Sequence, residues 1–198
     1  PILTVTGEKG GVTKTTTAVH LAIWFATETR RKTLLVDLDN NRGDCARLLG
    51  LEPAPDVYKL FADGEFHPTK THYPKLDILR GNKRTGMINR IIIDQPAHDT
   101  QRVFADAIEP YDLVVLDASP DSGPLRNILS AMTAFFVIST LTDPLGRDEL
   151  IAIVKEVQKT GIQYVVVPAK VQERALSDGF IEGMRKMWGV HVADPIPE

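Results

Sequence analysis

The segment from Glu8 to Thr17, which reads EKGGVTKTTT, has the residue types of a loop that holds phosphate groups. It follows a short apolar run and precedes a helical pattern, so backbone N–H groups and the positive end of a helix would converge there. Gly10 and Gly11 would let the backbone close around a phosphate chain without Cβ collisions. Lys14 can extend to the β- and γ-phosphates, and the Thr15 hydroxyl can ligate Mg²⁺. The alternative is a glycine-rich turn that binds no ligand.

The strict phosphate-loop pattern GxxxxGK[ST] is not matched, because Glu8 replaces its first glycine and Thr13 replaces the glycine before the lysine. The variant KGGxxK[ST] is matched in full, and it carries an additional lysine, Lys9. In these residues the chain resembles the ParA/Soj/MinD family of partition and positioning ATPases, whose usual wording is KGGVGKTT. The resemblance assigns nucleotide binding to Lys9, Gly10, Gly11, Val12, Thr13, Lys14, Thr15 and Thr16.

The resemblance also gives the two lysines separate catalytic roles. Lys14 would bind the phosphates of its own subunit, and Lys9 would reach across a two-fold interface to the nucleotide of a partner. ATP would then be part of the interface of a homodimer. Thr13 is the main departure from the family pattern. If this position needs a positive φ, its side chain costs about 1–2 kcal/mol; at an ordinary φ, threonine only crowds the phosphates.

Two carboxylates follow a second apolar run, Thr33–Asp37, which is a candidate strand. Side chains alternate along an extended segment, so Asp37 and Asp39 point the same way and can address one Mg²⁺–water–phosphate cluster. By resemblance, Asp39 orients or activates the attacking water, and Asp37 holds the water shell of the metal. The family wording is DxDPQ, and Asn40-Asn41 takes the place of Pro-Gln. The alternative is an acidic strand end that caps the next helix.

A third apolar run, Leu113–Asp117, ends in a carboxylate, which is the pattern of a Walker B aspartate that holds Mg²⁺ through water. The surrounding sequence is similar to the family wording YDxxxxDxPP. Thr15, Asp37 and Asp117 are therefore the predicted magnesium-binding residues. A hydrolase triad containing Ser119 is disfavoured, because no nucleophile-elbow glycines surround that serine.

Apolar runs alternate with helical patterns along almost the whole chain, which predicts an α/β fold with a doubly wound, mostly parallel sheet flanked by helices, as in P-loop NTPases. Several runs are apolar at every position, as is typical of strands buried on both faces. We expect one nucleotide-binding domain over residues 1–198, and the resemblance suggests that C-terminal sequence is missing. The predicted strands are Ile2–Val5, Thr33–Asp37, Leu76–Leu79, Leu113–Asp117, Ala134–Ser139 and Gln163–Val167. The predicted helices are Lys14–Thr27, Ala46–Leu49, Asp56–Phe61, His98–Ile108, Ser122–Met132, Arg147–Lys159 and Leu176–Met187.

Composition limits the classes of protein to which the chain can belong. Its 43% hydrophobic and 25% charged residues are typical of a soluble globular domain. No apolar run approaches the ~20 residues of a membrane span, and the sequence from Pro1 onward leads us to expect no signal peptide. A net charge of −3 gives no overall attraction to DNA, so DNA binding would need a local basic face. The single cysteine, Cys45, excludes an intramolecular disulfide and suits the cytoplasm.

Some other positions carry separate expectations. Trp24 is predicted to pack in the core or at the sheet edge, and Asp143 to cap the helix that begins near Arg147. The stretch from Glu52 to Pro74 is expected to be an irregular excursion, apart from its short helix. A basic strip, or else an ordinary solvated helix face, is formed by Lys159, Lys170, Arg174, Arg185 and Lys186.

Taken together, the resemblance implies a short ParA-like ATPase that binds ATP or ADP with Mg²⁺ and dimerises on ATP. Such a protein binds DNA non-specifically, is stimulated by a ParB-like partner, and partitions a plasmid or chromosome or positions a cargo on the nucleoid in the cytoplasm. One alternative is a MinD-like switch on a membrane surface, which requires an amphipathic C-terminal helix. Another is a metal-cluster carrier or reductase subunit, against which a single cysteine argues. The last is a nucleotide-dependent scaffold with little hydrolysis because of Thr13.

Overall fold

Seven strands form one sheet, and six of them run parallel. The computed structural model of the chain describes residues 1–7, 11–39, 42–118, 123–142, 146–171 and 175–197. The strands are β1 (Ile2–Gly7), β2 (Thr33–Asp37), β3 (Thr69–Lys70), β4 (Leu76–Leu79), β5 (Leu113–Asp117), β6 (Phe135–Leu141) and β7 (Gln163–Ala169). Their order in the sheet is β3-β4-β2-β5-β1-β6-β7, with β3 antiparallel to β4.

Helices cover both faces of this sheet. The α-helices are α1 (Lys14–Thr27), α2 (Asp44–Leu48), α3 (Asp56–Asp63), α4 (Ile88–Ile92), α5 (Ala97–Ile108), α6 (Pro124–Ser130), α7 (Arg147–Lys159) and α8 (Ala175–Trp188). Short 3₁₀ helices lie at Thr85–Met87 and Gly189–His191. Alternate residues of each buried strand face opposite layers, as Leu35 packs with α1 and α2 while Leu34 packs with α3 to α6. A third apolar cluster joins β6 and β7 to α7 and α8.

The strand register brings the carboxyl ends of the central strands to one edge of the sheet. Asp37 at the end of β2 lies opposite Asp117 at the end of β5, and Val5 of β1 lies opposite the same aspartate. The chain leaves β1 toward β2 on one side, whereas β6 lies on the other side of β1. Ligands of doubly wound sheets bind outside the carboxyl ends of strands at such a point. The fold therefore places the predicted phosphate loop and both aspartates at one edge.

The predicted fold class is confirmed, and several predicted bounds match those observed. Strands β2, β4 and β5 and helices α1 and α7 have the predicted limits. Strands β1, β6 and β7 each end two residues later than predicted, because their pairing continues to Gly7, Leu141 and Ala169, and β6 begins one residue later. The predicted helix start at Ser122 lies outside the described ranges, and α6 is described from Pro124. The predicted helix cap Asp143 also lies outside them.

Three expectations were wrong or incomplete. The stretch from Glu52 to Pro74 is more ordered than predicted, because α3 runs to Asp63 and β3 pairs with β4, where Lys70 Nζ contacts Asp77 Oδ2 at 2.8 Å. Helix α4 was missed, since its five residues are too few to show a helical period. Trp24 is 51% exposed, because α1 buries a narrow face of smaller side chains.

The surface of α8 favours the solvated-face interpretation over a basic strip. Arg185 Nη2 lies 3.1 Å from Asp194 Oδ1, and Lys186 Nζ lies 2.8 Å from Glu182 Oε1. Acidic neighbours therefore offset these two positive charges. Arg174 lies outside the described residues. Among the described helices, none has the length and apolar content needed to cross a bilayer.

Gly7→Ala should destabilise the protein by about 1–3 kcal/mol, because β1 and β6 close tightly at this position. A Cβ at Gly7 would lie 2.5 Å from the Ser139 carbonyl oxygen and 2.7 Å from Val12 Cγ2. Gly179→Ala in the exposed interior of α8 is the matched control, since nothing lies within 4 Å of its added Cβ. The control should instead stabilise by about 0.5–1 kcal/mol. Urea unfolding of both variants checks this, and equal free energies of unfolding would contradict it.

Candidate functional site

The predicted phosphate loop joins the end of β1 to the start of α1. Glu8, Lys9 and Gly10 lie outside the described residues, and the loop is described again from Gly11, whose φ is 82°. Thr13 then takes a left-handed conformation, with φ 65° and ψ 15°, and α1 begins at Lys14. Lys14 is only 8% exposed, so its side chain lies within the protein and does not extend into solvent. The sequence left the sign of φ at Thr13 open, and it is positive.

The two strand-end aspartates lie next to each other beside the start of α1. Asp37 and Asp117 are both buried and occupy opposite positions of β2 and β5. The Thr15 hydroxyl donates a hydrogen bond to the carboxylate of Asp117, and the charge of Lys14 acts favourably on the same carboxylate. The structure therefore brings four of the predicted site residues together, namely Lys14, Thr15, Asp37 and Asp117.

Asp39 follows Asp37 at the end of β2 and is half-buried. Its backbone N–H donates to Asp37 Oδ1 at 3.1 Å, which turns the chain back over the strand end. The carboxylate of Asp39 is close enough to raise the pKa of both Asp37 and Asp117. Its charge thus belongs to the same cluster. Of the other predicted positions, Val12 is fully buried and Thr16 is exposed on the first turn of α1.

Cys45 belongs to this cluster, and the sequence analysis missed it. Its thiol donates to Asp117 Oδ2 at 3.3 Å, and its backbone N–H donates to Asp37 Oδ2 at 3.3 Å. One ligand atom from each of the three residues lies within 4.8 Å of the others. Burial, together with the neighbouring carboxylates, raises the pKa of the thiol. A single cysteine eight residues after a strand-end aspartate carries no recognisable spacing, so only the fold places it here.

Burial is the largest influence on the pKa of both Asp37 and Asp117. It raises the pKa of Asp37 to about 8, with a further contribution from the charge of Asp117, against the hydrogen bonds from the Asp39 and Cys45 N–H groups. Burial raises the pKa of Asp117 to about 6, opposed by the hydrogen bonds from Thr15 and Cys45 and by the charge of Lys14. Two buried carboxylates side by side repel one another, and a divalent cation would relieve that repulsion.

The donor set fits magnesium. Mg²⁺ prefers oxygen ligands and is held through one or two carboxylates together with phosphate oxygens and water. Asp37, Asp117 and the Thr15 hydroxyl offer such oxygens at one point, next to the amino end of a helix that suits phosphate. The cysteine thiol is a soft group that hydrogen-bonds to Asp117 rather than adding a preferred magnesium ligand.

Comparison with known proteins identifies the family of the chain. Residues 3–198 match the family described as the CobQ/CobB/MinD/ParA nucleotide binding domain. The chain belongs to this family. The chromosome partitioning protein ParA of Caulobacter vibrioides is 28% identical over 221 residues, which cover 98% of this chain and 79% of that protein. The chain spans only 37% to 50% of several other curated relatives that it matches.

Two solved structures show the likeness of the fold. Cobyrinic acid a,c-diamide synthase from Mycobacterium smegmatis, with bound ADP and magnesium, aligns with a TM-score of 0.84 at 22% identity. The alignment covers 99% of this chain and 86% of that one. A single-residue variant of Cyanothece McdA in complex with ATP aligns with a TM-score of 0.84 at 17% identity, over 100% of this chain and 83% of that one. Their ligands are ones that the sequence predicts for this chain.

The nucleotide-free protein should lose stability as the pH rises from about 4 to about 8. Between the ordinary aspartate pKa of 3.8 and the folded value of about 8, folded Asp37 keeps a proton that the unfolded chain has released. Stability is therefore greatest at the acidic end of this window and falls by up to about 1.4 kcal/mol per pH unit for each titrating carboxyl.

Asp37→Asn is the matched variant, because its side chain has nearly the same shape and does not titrate. Its free energy of unfolding should fall less steeply with pH than that of the unmodified protein. Urea unfolding in a pH series, without nucleotide or magnesium, gives both slopes. Parallel slopes, or stability that rises toward pH 8, would exclude a buried protonated Asp37.

Proposed function

We propose that this chain is the ATPase domain of a ParA-like molecular switch that binds MgATP at the carboxyl edge of β1, β2 and β5. The observation that carries the proposal is the convergence of Lys14, Thr15, Asp37 and Asp117 at this edge in a member of a nucleotide-binding family. Burial opposes the ionisation of both carboxylates, and a magnesium ion held with the phosphates would relieve the repulsion between them.

Each residue has a role that follows from its position. The N–H groups from Gly11 to Thr16 hold the phosphates at the amino end of α1, and the Lys14 amine binds their terminal oxygens. Thr15, Asp37 and Asp117 would hold a magnesium ion, with the Thr15 hydroxyl as a direct ligand and the two carboxylates through water. The ion would supply charge that stabilises the oxygens of the transferred phosphoryl group. Asp39 lies half-buried at the edge of the cluster, where its carboxylate orients the attacking water.

Lys9 couples ATP binding to dimerisation in this proposal. Lys14 serves the phosphates of its own subunit, and the resemblance to the ParA/Soj/MinD pattern implies that the second lysine, at the loop start, reaches the nucleotide of a partner subunit. A hydrogen bond to a charged group contributes about 1.5–3 kcal/mol, and two-fold symmetry doubles it. ATP thus favours a homodimer and hydrolysis releases it. The dimer binds DNA non-specifically in the cytoplasm, and a ParB-like partner stimulates hydrolysis to partition a replicon or position a cargo.

The conformation of Thr13 favours a second candidate, a nucleotide-dependent scaffold that hydrolyses ATP slowly or not at all. A threonine at φ 65° is strained, and such strain costs of order 1–2 kcal/mol. This strain energy raises the free energy of the loop conformation that would bind phosphate. A scaffold would still dimerise on ATP, so the two candidates differ in turnover rather than in binding.

Lys14→Ala and Lys9→Ala should separate binding from dimerisation. Lys14→Ala should lose ATP binding, because the phosphates lose their own-subunit cation. Lys9→Ala should keep monomer binding and lose the ATP-dependent dimer. Fluorescence titration with a labelled nucleotide measures binding, and light scattering with a non-hydrolysable analogue measures mass, with and without duplex DNA.

Lys186→Ala is the matched control for both lysine variants, since it removes the same charge from the exposed face of α8. It should bind nucleotide and dimerise like the unmodified protein. Undiminished ATP affinity in Lys14→Ala would contradict the loop assignment. A full ATP-dependent dimer in Lys9→Ala would contradict the trans role of that lysine.

Asp39→Ala should bind ATP normally and persist as the ATP dimer, because the attacking water is no longer oriented. Phosphate release, measured with and without DNA, should fall to the uncatalysed background in this variant. Rapid turnover in Asp39→Ala would rule out its catalytic role. Equal, negligible release from the unmodified protein and from Asp39→Ala would instead favour the scaffold.

A further inference from the structure

The end of β6 packs closely against the end of β1 and the phosphate loop. Gly7, where β1 ends, pairs in register with Ser139 of β6. The space between them is so small that an added Cβ on Gly7 would lie 2.5 Å from the Ser139 carbonyl oxygen. Both Ser139 and the loop residue Val12 are fully buried. The Ser139 side chain is therefore held next to the loop, out of reach of solvent.

Two hydrogen bonds join Ser139 to the loop, and their directions are fixed. The Ser139 hydroxyl donates its only proton to the carbonyl oxygen of Val12, since a carbonyl can only accept. Ser139 Oγ must then accept from the Thr13 hydroxyl, whose Oγ1 lies 2.9 Å away. The chain of donors thus runs from Thr13 through Ser139 to Val12. The Thr13 hydroxyl proton is engaged by Ser139 and is not donated to a phosphate.

We infer that Ser139 is a positioning residue for the phosphate loop, which holds Thr13 in its left-handed conformation from the neighbouring strand. This inference rests on the proposed nucleotide-binding function. A threonine does not adopt φ 65° without support, because its Cβ is crowded there. A change to a negative φ would move the Thr13 hydroxyl and rotate the adjoining peptide groups. The N–H groups on either side of Thr13 would then point away from the phosphates.

The pair also explains how the chain accepts a threonine where its family has glycine. A glycine reaches this conformation at little cost and needs no partner. Thr13 needs one, and Ser139 supplies it from β6, more than a hundred residues later in the chain. Removing either hydroxyl should therefore weaken nucleotide binding, although neither hydroxyl donates to the phosphates.

Thr6 provides a control from the same pair of strands. Its hydroxyl is buried in the residue before Gly7, and within the described part of the chain it has no hydrogen-bond partner. Thr6 pairs with Ile138, the residue before Ser139, so it lies next to the link in the same pair of strands, with its side chain on the opposite face of the sheet. Thr6→Val removes a buried hydroxyl there without touching the link between Thr13 and Ser139.

The test is the MgADP affinity and the urea unfolding free energy of Ser139→Ala, Thr13→Val, Thr13→Ser and Thr6→Val. Ser139→Ala and Thr13→Val should each weaken MgADP binding about tenfold, the loss expected for one buried hydrogen bond. Thr13→Ser restores the hydroxyl and should recover most of the affinity lost in Thr13→Val. Thr6→Val should bind as the unmodified protein does. The double variant Ser139→Ala/Thr13→Val should bind no more weakly than either single variant, because both break one link.

Other results would overturn the inference. Unchanged MgADP affinity in folded Ser139→Ala and Thr13→Val, with only the unfolding free energy lowered, would reduce the link to a structural contact. Losses that multiply in the double variant would show that the two hydroxyls act separately. Failure of the unmodified protein to bind MgADP would instead refute the proposed function. The two failures are therefore distinguishable.

Discussion

Two carboxylates that the fold buries side by side are the constraint on which the rest of the site depends. The parallel register of β2 and β5 sets Asp37 opposite Asp117, and burial opposes the ionisation of both. Several neighbouring groups reduce that cost, whereas the Asp39 carboxylate adds to it. The Thr15 hydroxyl, the Cys45 thiol and the Lys14 charge act on Asp117, while backbone N–H groups reach Asp37. These groups offset only part of the repulsion between the two carboxylates. A magnesium ion bound with a phosphate chain at the start of α1 would offset the rest.

The same edge of the sheet also controls the loop that would hold the phosphates. Strand β6 lies beside β1, and its Ser139 reaches the loop where Thr13 takes a positive φ. A strained residue persists only where surrounding structure fixes it. In this chain that support comes from a separate strand, so the conformation of the loop depends on the packing of β6 against Gly7. Phosphate binding at this loop would therefore depend on the sheet as well as on the loop itself.

Much of the fold is legible in the sequence because uniformly apolar runs identify strands buried on both faces. Leu113–Asp117 is such a run, and the predicted and observed bounds agree. Short elements were not predicted, because the five residues of α4 and the two of β3 are too few to show a periodic pattern. The residue types of the loop and of the strand ends predicted that Lys14, Thr15, Asp37 and Asp117 form one cluster. The fold brings these four residues together. Cys45 and Ser139 were missed because their importance comes from contacts across the sheet, which sequence spacing does not record.

The most direct test of the central claim is a crystal structure of the protein with Mg²⁺ and a non-hydrolysable ATP analogue. The account predicts the triphosphate at the amino end of α1, with the Lys14 amine on its terminal phosphates. Mg²⁺ should lie on the Thr15 hydroxyl, with its water shell on Asp37 and Asp117, and the Lys9 amine of a second subunit should contact the same triphosphate. A nucleotide bound elsewhere on the protein, or Lys9 turned into solvent in a true ATP-bound dimer, would contradict it.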